Sequence, residues 1–226
     1  GGGITIDGTG GSYATVFNNP TEILAKSGPI NWLGNAGTTL YTNGLLTLGA
    51  KAGTPVTTSS SNVWVRGDEY EYAGGAGTWP IVNTSGSFTW QPAGTRFTRD
   101  AVSASWFSIN PSSGWNLSGL TIGKPGNTSG VYSNVAFTVA GPIAIYSGGL
   151  DLSKSLTSTL AGAPITLSST GNFTTTPVGR IGVTSNGGDI SVLAGGQLNL
   201  DYMTVNAGAG NILVRGATFS WDTAAA

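Results

Sequence analysis

Short runs of alternating apolar and polar residues recur along the whole chain, and Gly or Asn brackets most of them. These runs begin at Ile4, Ile30, Leu46, Val63, Phe88, Leu120, Ile143, Ile165, Ile190 and Ile212. Strict alternation is typical of half-buried β-strands, whereas no segment keeps apolar residues at i, i+3, i+4 and i+7 for three helical turns. The pattern therefore predicts an all-β protein.

The spacing of the C-terminal runs indicates a repeat. Runs start at positions 143, 165, 190 and 212, so that successive starts are separated by intervals of 22, 25 and 22. Recurrence at this period is typical of a solenoid in which each coil buries its apolar face against its neighbours. Small residues such as Gly141-Pro142 and Gly188-Asp189 precede the runs and suit tight corners. The sequence therefore predicts a parallel β-helix.

Length and period together predict the domain organisation. The chain has 226 residues, so coils of the observed length predict one β-helical segment over 1–226 with roughly nine or ten coils. Neither end of the sequence carries an evident polar cap, and uncapped coils expose unpaired backbone groups. We therefore expect further coils of the same polypeptide, or identical copies stacked end to end, to continue the strand ladder.

Residues 64–115 depart from the repeat because they hold ten of the 21 aromatic residues. This segment predicts a widened or protruding part of the helix. Exposed indole rings stack on sugars, so Trp79, Trp90 and Trp106 are candidate glycan-binding residues. The alternative is that the same rings fill a wider core.

The few charged residues restrict the chemistry of the chain. Only 8% of the residues are charged and the formal net charge is −1, which gives no basic surface for nucleic acid or an anionic membrane. The chain has no His and no Cys, which removes imidazole and thiolate chemistry, disulfides and the usual zinc ligand sets. No apolar run approaches the ~20 residues of a transmembrane helix. We expect no metal and no cofactor.

One cluster of carboxylates, Asp68, Glu69 and Glu71, raises the question of catalysis. Carbohydrate-active β-helix enzymes work with clustered carboxylates. Alternation along a strand places Glu69 and Glu71 on one side and Asp68 on the other, so at most two of them converge. The favoured interpretation is a solvated strand face and a non-enzymatic protein, and the alternative is a carbohydrate-active enzyme or glycan-binding module that uses residues 64–115.

Several stretches resemble the repeat regions of filamentous haemagglutinin-like proteins, which are very large secreted β-strand-repeat surface proteins of bacteria. They are Ala25-Lys-Ser-Gly-Pro-Ile-Asn31, Leu48-Gly-Ala-Lys51, Pro55-Val-Thr-Thr-Ser-Ser-Ser61, Leu120-Thr-Ile-Gly-Lys-Pro-Gly-Asn-Thr128, Val139-Ala-Gly-Pro-Ile-Ala-Ile-Tyr-Ser-Gly148, Leu156-Thr-Ser-Thr159 and Ile165-Thr-Leu167. The resemblance covers roughly residues 1–72 and 117–221. It implies a right-handed β-helical stalk, a place outside the bacterial cell or on its surface, and a structural or adhesive role. It supplies no catalytic residues.

Glycosylation is a further hypothesis from the sequence. Asn-x-Ser/Thr sequons begin at Asn83, Asn116, Asn127 and Asn172, and Thr223 lies in a stretch that resembles an O-glycosylation site. In a chain this rich in Asn, Ser and Thr, chance alone produces most such matches.

Overall fold

The computed structural model describes residues 2–8, 11–72, 79–109, 116–176 and 179–220. These residues form an all-β protein whose parallel strands stack as a β-solenoid of about 8 turns. The predicted fold class is therefore confirmed. Helical structure in the described ranges is limited to a 3-10 turn at Ala104–Trp106, and no helix there is long and apolar enough to cross a bilayer.

The strands are short and follow one another closely along the chain. In the first half they are β1 (Ile4–Gly8), β2 (Tyr13–Phe17), β3 (Thr21–Leu24), β4 (Ile30–Gly34), β5 (Thr39–Thr42), β6 (Leu46–Gly49), β7 (Val63–Arg66), β8 (Glu69–Tyr72), β9 (Ile81–Asn83), β10 (Ser87–Gln91), β11 (Ala101–Ser103), β12 (Ser108–Ile109) and β13 (Gly119–Ile122). In the second half they are β14 (Gly130–Ser133), β15 (Phe137–Val139), β16 (Ile143–Ser147), β17 (Leu150–Leu152), β18 (Leu156–Ser158), β19 (Ile165–Ser169), β20 (Phe173–Thr175), β21 (Ile181–Ser185), β22 (Ile190–Ala194), β23 (Gln197–Asn199), β24 (Met203–Asn206), β25 (Ile212–Arg215) and β26 (Thr218–Ser220).

The chain divides into two compact units, and the first comprises Gly1–Arg99 and Ser105–Thr121. Three parallel sheets run through this unit, ordered β1-β4-β7-β10, β2-β5-β8 and β3-β6-β9-β12. Equivalent residues of successive coils pair in register, so that Ile4 lies beside Ile30 and Ile30 beside Val63. Each of the first three coils thus contributes a strand to each sheet, which is the arrangement of a parallel β-helix.

The second unit comprises Asp100–Ala104 and Ile122–Ala226 and repeats the same plan. Its sheets are ordered β16-β19-β22-β25, β11-β14-β17-β20-β23-β26 and β15-β18-β21-β24. Ile143, Ile165 and Ile190 stack in register and are almost completely buried. Burial of one such side chain stabilises the fold by about 1.5–3 kcal/mol. The repeat that the sequence shows from Ile143 onwards is therefore the inward-facing ladder of this sheet.

The number of coils is smaller than the nine or ten expected from the sequence. The expected number rested on the C-terminal spacing, which is the step from Ile143 to its partner Ile165. In the first unit the step from Ile30 to its partner Val63 is half as long again. Longer corners thus use more of the chain per turn, and the chain completes about 8 turns.

Close backbone approach explains the glycines at the corners. A Cβ atom on Gly188 would lie 2.0 Å from the carbonyl oxygen of Ala163 in the coil before it. Gly28 adopts a φ of 86°, a left-handed conformation that side chains rarely tolerate. The predicted corner role of Gly188 is therefore the observed one, and Gly28 has the same role before β4.

Candidate functional site

Trp90 belongs to the core of the first unit. Its side chain is 1% exposed, and its ring centroid lies 4.9 Å from that of Phe97 and 5.1 Å from that of Phe107. A sugar cannot reach a ring enclosed in this way. The expectation that Trp90 contacts glycan is therefore wrong, because this inward position fills the wide coil interior, as the alternative interpretation held.

Trp79 and Trp106 form the partly exposed part of the same aromatic group. Their ring planes are inclined by only 15° and their centroids are 6.3 Å apart. The guanidinium carbon of Arg99 lies 5.5 Å from the Trp106 ring centroid, within the range of a cation–π interaction. The structure thus brings all three predicted tryptophans together, because the centroids of Trp90 and Trp106 are also only 5.9 Å apart. We call the two partly exposed rings, Trp79 and Trp106, together with Arg99 the indole platform.

Glu69 connects the indole platform to the outer face of strand β8. Arg99 Nε donates to Glu69 Oε1 at 3.1 Å, and Thr39 Oγ1 donates to Glu69 Oε2 at 3.3 Å. Both carboxylate oxygens of Glu69 are therefore engaged. This side chain holds Arg99 against Trp106 and has the role of a positioning residue.

Asp68 has a different and structural role. Its carboxylate is buried, and it accepts hydrogen bonds from the backbone nitrogens of Gly37 and Gly94 at 2.6 and 2.7 Å. In strand β8 the next residues alternate as expected, because Tyr70 is buried whereas Glu69 and Glu71 point outward. Asp68 thus does not converge with the two glutamates.

A second group of outward side chains lies on the sheet formed by β2, β5 and β8, and the sequence analysis missed it. Val16, Tyr41 and Glu71 are in register across the three strands. The Tyr13 ring meets the Tyr41 ring edge to face, with centroids 5.4 Å apart and planes at 72°. Together these four residues line a cavity of about 370 Å³, which we call the tyrosine pocket.

Glu71 is the charged group of the tyrosine pocket. The Tyr13 hydroxyl donates to Glu71 Oε2 at 3.4 Å. Among the described residues no lysine or arginine forms an ion pair with Glu71. Its negative charge raises the pKa of Tyr13, because a phenolate would form beside a carboxylate. The pocket therefore has a locally negative electrostatic potential.

The tyrosine pocket could have been predicted from the sequence only by pairing strands that are farther apart in the chain than one C-terminal coil. Tyr41 and Glu71 are far apart in the chain, yet they are direct neighbours in the sheet. The segment Thr39-Leu-Tyr-Thr42 alternates in the same way as Glu69-Tyr-Glu-Tyr72. Matching the two alternations would have placed Tyr41 beside Glu71.

Within the described ranges no group of three or more His, Cys, Asp or Glu residues converges in a way that could hold a metal ion. Of the two outward glutamates, Glu69 forms an ion pair with Arg99, whereas Glu71 forms none with any lysine or arginine in the part of the chain that the structure describes. The chemistry available is therefore stacking on the indole platform and attraction of positive charge at the tyrosine pocket.

The predicted glycosylation sites differ strongly in exposure. Asn116 and Asn172 are exposed, and Thr223 lies outside the described residues. Asn83 is half-buried, and its Nδ2 donates to the carbonyl oxygen of Ala50 at 3.1 Å. Asn127 is completely buried and its Nδ2 donates to the carbonyl oxygen of Tyr146 at 2.9 Å. The expectation for Asn127 is therefore wrong for the folded protein, because that nitrogen is inaccessible.

Comparison with protein-family models, curated proteins and solved structures finds no match for the chain. The resemblance to filamentous haemagglutinin-like repeats therefore stays a prediction from the sequence. The functional argument depends on the geometry of the two surface groups and on the stacked coils.

Proposed function

We propose that the chain is a non-enzymatic structural and adhesive module, a rigid segment of a protein displayed outside a bacterial cell. The observation that carries the proposal is the in-register stacking of coils. Ile165 lies between Ile143 and Ile190 in an unbroken buried ladder. Each coil is thus fixed by backbone hydrogen bonds and apolar contact with its neighbours, which favours rigidity.

The indole platform supports the adhesive part of the proposal. The two indoles are nearly parallel and stacked, and the Arg99 guanidinium, which lies over the Trp106 ring, supplies hydrogen-bond donors. Flat apolar faces with polar groups at their edges suit sugar rings. Trp79 and Trp106 are therefore the residues that we assign to glycan contact.

The coil that begins at Ile212 supports stacking as the mode of assembly. Ile212 pairs with the buried Ile190 but is itself 49% exposed. Phe219 likewise pairs with the buried Leu198 and is 45% exposed. An exposed apolar face of this kind accepts another coil in register. We propose further coils of the same polypeptide, or an identical copy, as its partner.

A glycan array probed with the full chain tests adhesion. We expect binding of wild type to a subset of glycans, loss of that binding in Trp106→Ala, and retention in Trp64→Ala. Trp64 is a matched control because it is 36% exposed and lies next to a cation, Arg66, but outside the platform. Absence of glycan binding by folded wild type, or equal loss in both variants, would contradict the assignment.

Hydrogen exchange tests the structural part separately. Rigid stacked coils predict strong amide protection in β4, β7, β19 and β22, with the least protection at exposed edges such as β25. Exchange in β19 as fast as in β25 would contradict a rigid scaffold, whatever the array shows.

A second candidate function is a carbohydrate-active enzyme, favoured by the common outward orientation of Glu69 and Glu71. The pairing of Glu69 with Arg99 makes it the weaker candidate. Release of reducing sugar from polysaccharides by wild type, lost in Glu71→Gln, would establish it and replace the non-enzymatic proposal.

A further inference from the structure

The tyrosine pocket differs from the indole platform in the shape that it offers to a ligand. The two indole planes are nearly parallel, whereas the rings of Tyr13 and Tyr41 stand at 72° to each other. Rings at such an angle form a corner rather than a flat surface. A corner encloses a compact, rounded group better than a flat sugar ring.

The negative charge of the pocket determines the sign of the charge that its ligand should carry. Glu71 places a carboxylate beside both tyrosine rings, and no described lysine or arginine neutralises it. The faces of aromatic rings attract cations, and a nearby carboxylate strengthens that attraction. A positively charged ligand is therefore favoured over a neutral or anionic one.

Val16 supplies the remaining wall and adds an apolar requirement. It lies in register with Tyr41, opposite Glu71, and is 47% exposed. A bare metal ion or a strongly hydrated amine gains nothing from a valine wall, whereas methyl groups do. The cavity of about 370 Å³ has room for a trimethylated nitrogen.

We propose that the tyrosine pocket binds a methylated ammonium group of the choline type. The positive head sits in the corner formed by the Tyr13 and Tyr41 rings, Glu71 balances its charge, and the methyl groups contact Val16. This binding site is separate from the indole platform and does not depend on adhesion to glycans. The group reaches the pocket either as a soluble choline compound or as the head group of a phosphatidylcholine membrane.

Calorimetric titration of the full chain with choline chloride tests the proposal. The neutral tert-butyl analogue of choline, in which carbon replaces the nitrogen, is the ligand control. We expect choline to bind and the neutral analogue to bind at least about tenfold more weakly, because it lacks the charge that the rings and Glu71 attract.

Three variants locate the binding within the pocket. Glu71→Gln should weaken choline binding about tenfold or more through loss of the charge, whereas the matched change Glu69→Gln should alter it less than about twofold because Arg99 already neutralises that carboxylate. Tyr41→Phe keeps the aromatic face and should retain binding. A far-ultraviolet circular dichroism spectrum and a melting temperature equal to those of wild type exclude misfolding as the cause of the loss in Glu71→Gln.

Vesicles distinguish the two sources of the group. Sedimentation with phosphatidylcholine vesicles, abolished by Glu71→Gln, would identify the membrane head group as the source. Binding of choline without binding of vesicles would identify a soluble compound, and either result supports the site. No binding of choline, equal binding of the neutral analogue, or equal losses in Glu69→Gln and Glu71→Gln would overturn the proposal.

Discussion

The carboxylate of Asp68 accepts a hydrogen bond from the backbone nitrogen of Gly37 at 2.6 Å, although 31 residues separate them in the chain. The other carboxylate oxygen accepts from Gly94 at 2.7 Å. One buried acid thus fixes the corners of two other coils. Its position between two backbone donors explains why a charge is tolerated in an otherwise neutral interior.

Replacement of Asp68 should therefore destabilise the first unit. In Asp68→Asn the amide group turns a donor toward one of the two backbone donors, and a buried N–H is left unsatisfied. We expect the free energy of unfolding to fall by about 2 kcal/mol. Denaturant unfolding checks this, with Asp7→Asn as the control because Asp7 is exposed. Equal stability of the two variants would contradict the capping role.

Replacement of Trp90 should lower stability much more than replacement of Trp106, because Trp90 is a core residue and Trp106 is assigned to ligand contact. Trp90→Ala empties a space enclosed by Phe97 and Phe107 and should cost about 3–5 kcal/mol of unfolding free energy. Trp106→Ala removes a half-buried ring and should cost about 1 kcal/mol. Thermal and denaturant melts of both variants check the difference. A larger loss of unfolding free energy in Trp106→Ala than in Trp90→Ala would show that Trp106, rather than Trp90, belongs to the core.

Asn127 should matter for folding and not for glycosylation. Its Oδ1 accepts from the backbone nitrogen of Ser129, and its Nδ2 donates to the carbonyl oxygen of Tyr146. Asn127→Ala leaves these buried groups without partners and should reduce the unfolding free energy by about 2–3 kcal/mol. Asn116→Ala, at an exposed position, should change it by less than about 0.5 kcal/mol. Glycan attached to Asn127 in native material, detected by peptide mass spectrometry, would contradict this interpretation.

Stability should fall in alkaline solution because of Tyr70. Burial raises the pKa of this phenol above its ordinary value, and the hydrogen bond with Thr42 at 2.7 Å opposes that rise only partly. The unfolded chain releases the proton at about pH 10, whereas the folded protein retains it to higher pH. The contribution of the protonated, buried Tyr70 to the free energy of unfolding is therefore complete below about pH 10. Above that pH it is lost, at about 1.4 kcal/mol per pH unit, until the folded protein also releases the proton.

Tyr70→Phe tests that assignment. The variant removes the ionisable group while it keeps the buried ring. The free energy of unfolding should therefore fall less steeply with rising pH, because one proton fewer is released on unfolding. Denaturant unfolding at a series of alkaline pH values measures the slope. An identical slope in wild type and variant would show that Tyr70 does not retain its proton in the folded state.

The sequence predicts the fold well where corners are short and uniform. Ile143, Ile165 and Ile190 recur at nearly constant spacing, and the structure stacks them in register. Alternation also assigns inward and outward faces correctly, as at Glu69 and Tyr70. Both inferences depend only on local periodicity.

The candidate sites depend on which coils are neighbours, and alternation does not contain that information. Tyr13 and Glu71 meet across 58 residues, because the long coils of the first unit hide the repeat. Trp90 is aromatic like Trp106, and composition alone does not separate the ring that fills the interior from the one that reaches solvent. Register across unequal coils is therefore what the sequence analysis lacked.

The unequal coils also have an evolutionary consequence. Ile30 and Val63 pair in register across a long coil, and Ile143 and Ile165 pair equally well across a shorter one. Insertions at a corner thus leave the hydrogen-bonded ladder intact, since the added residues loop outward. New recognition loops can be grafted onto one corner without redesign of the interior, so this scaffold can diversify its surface while its architecture stays constant.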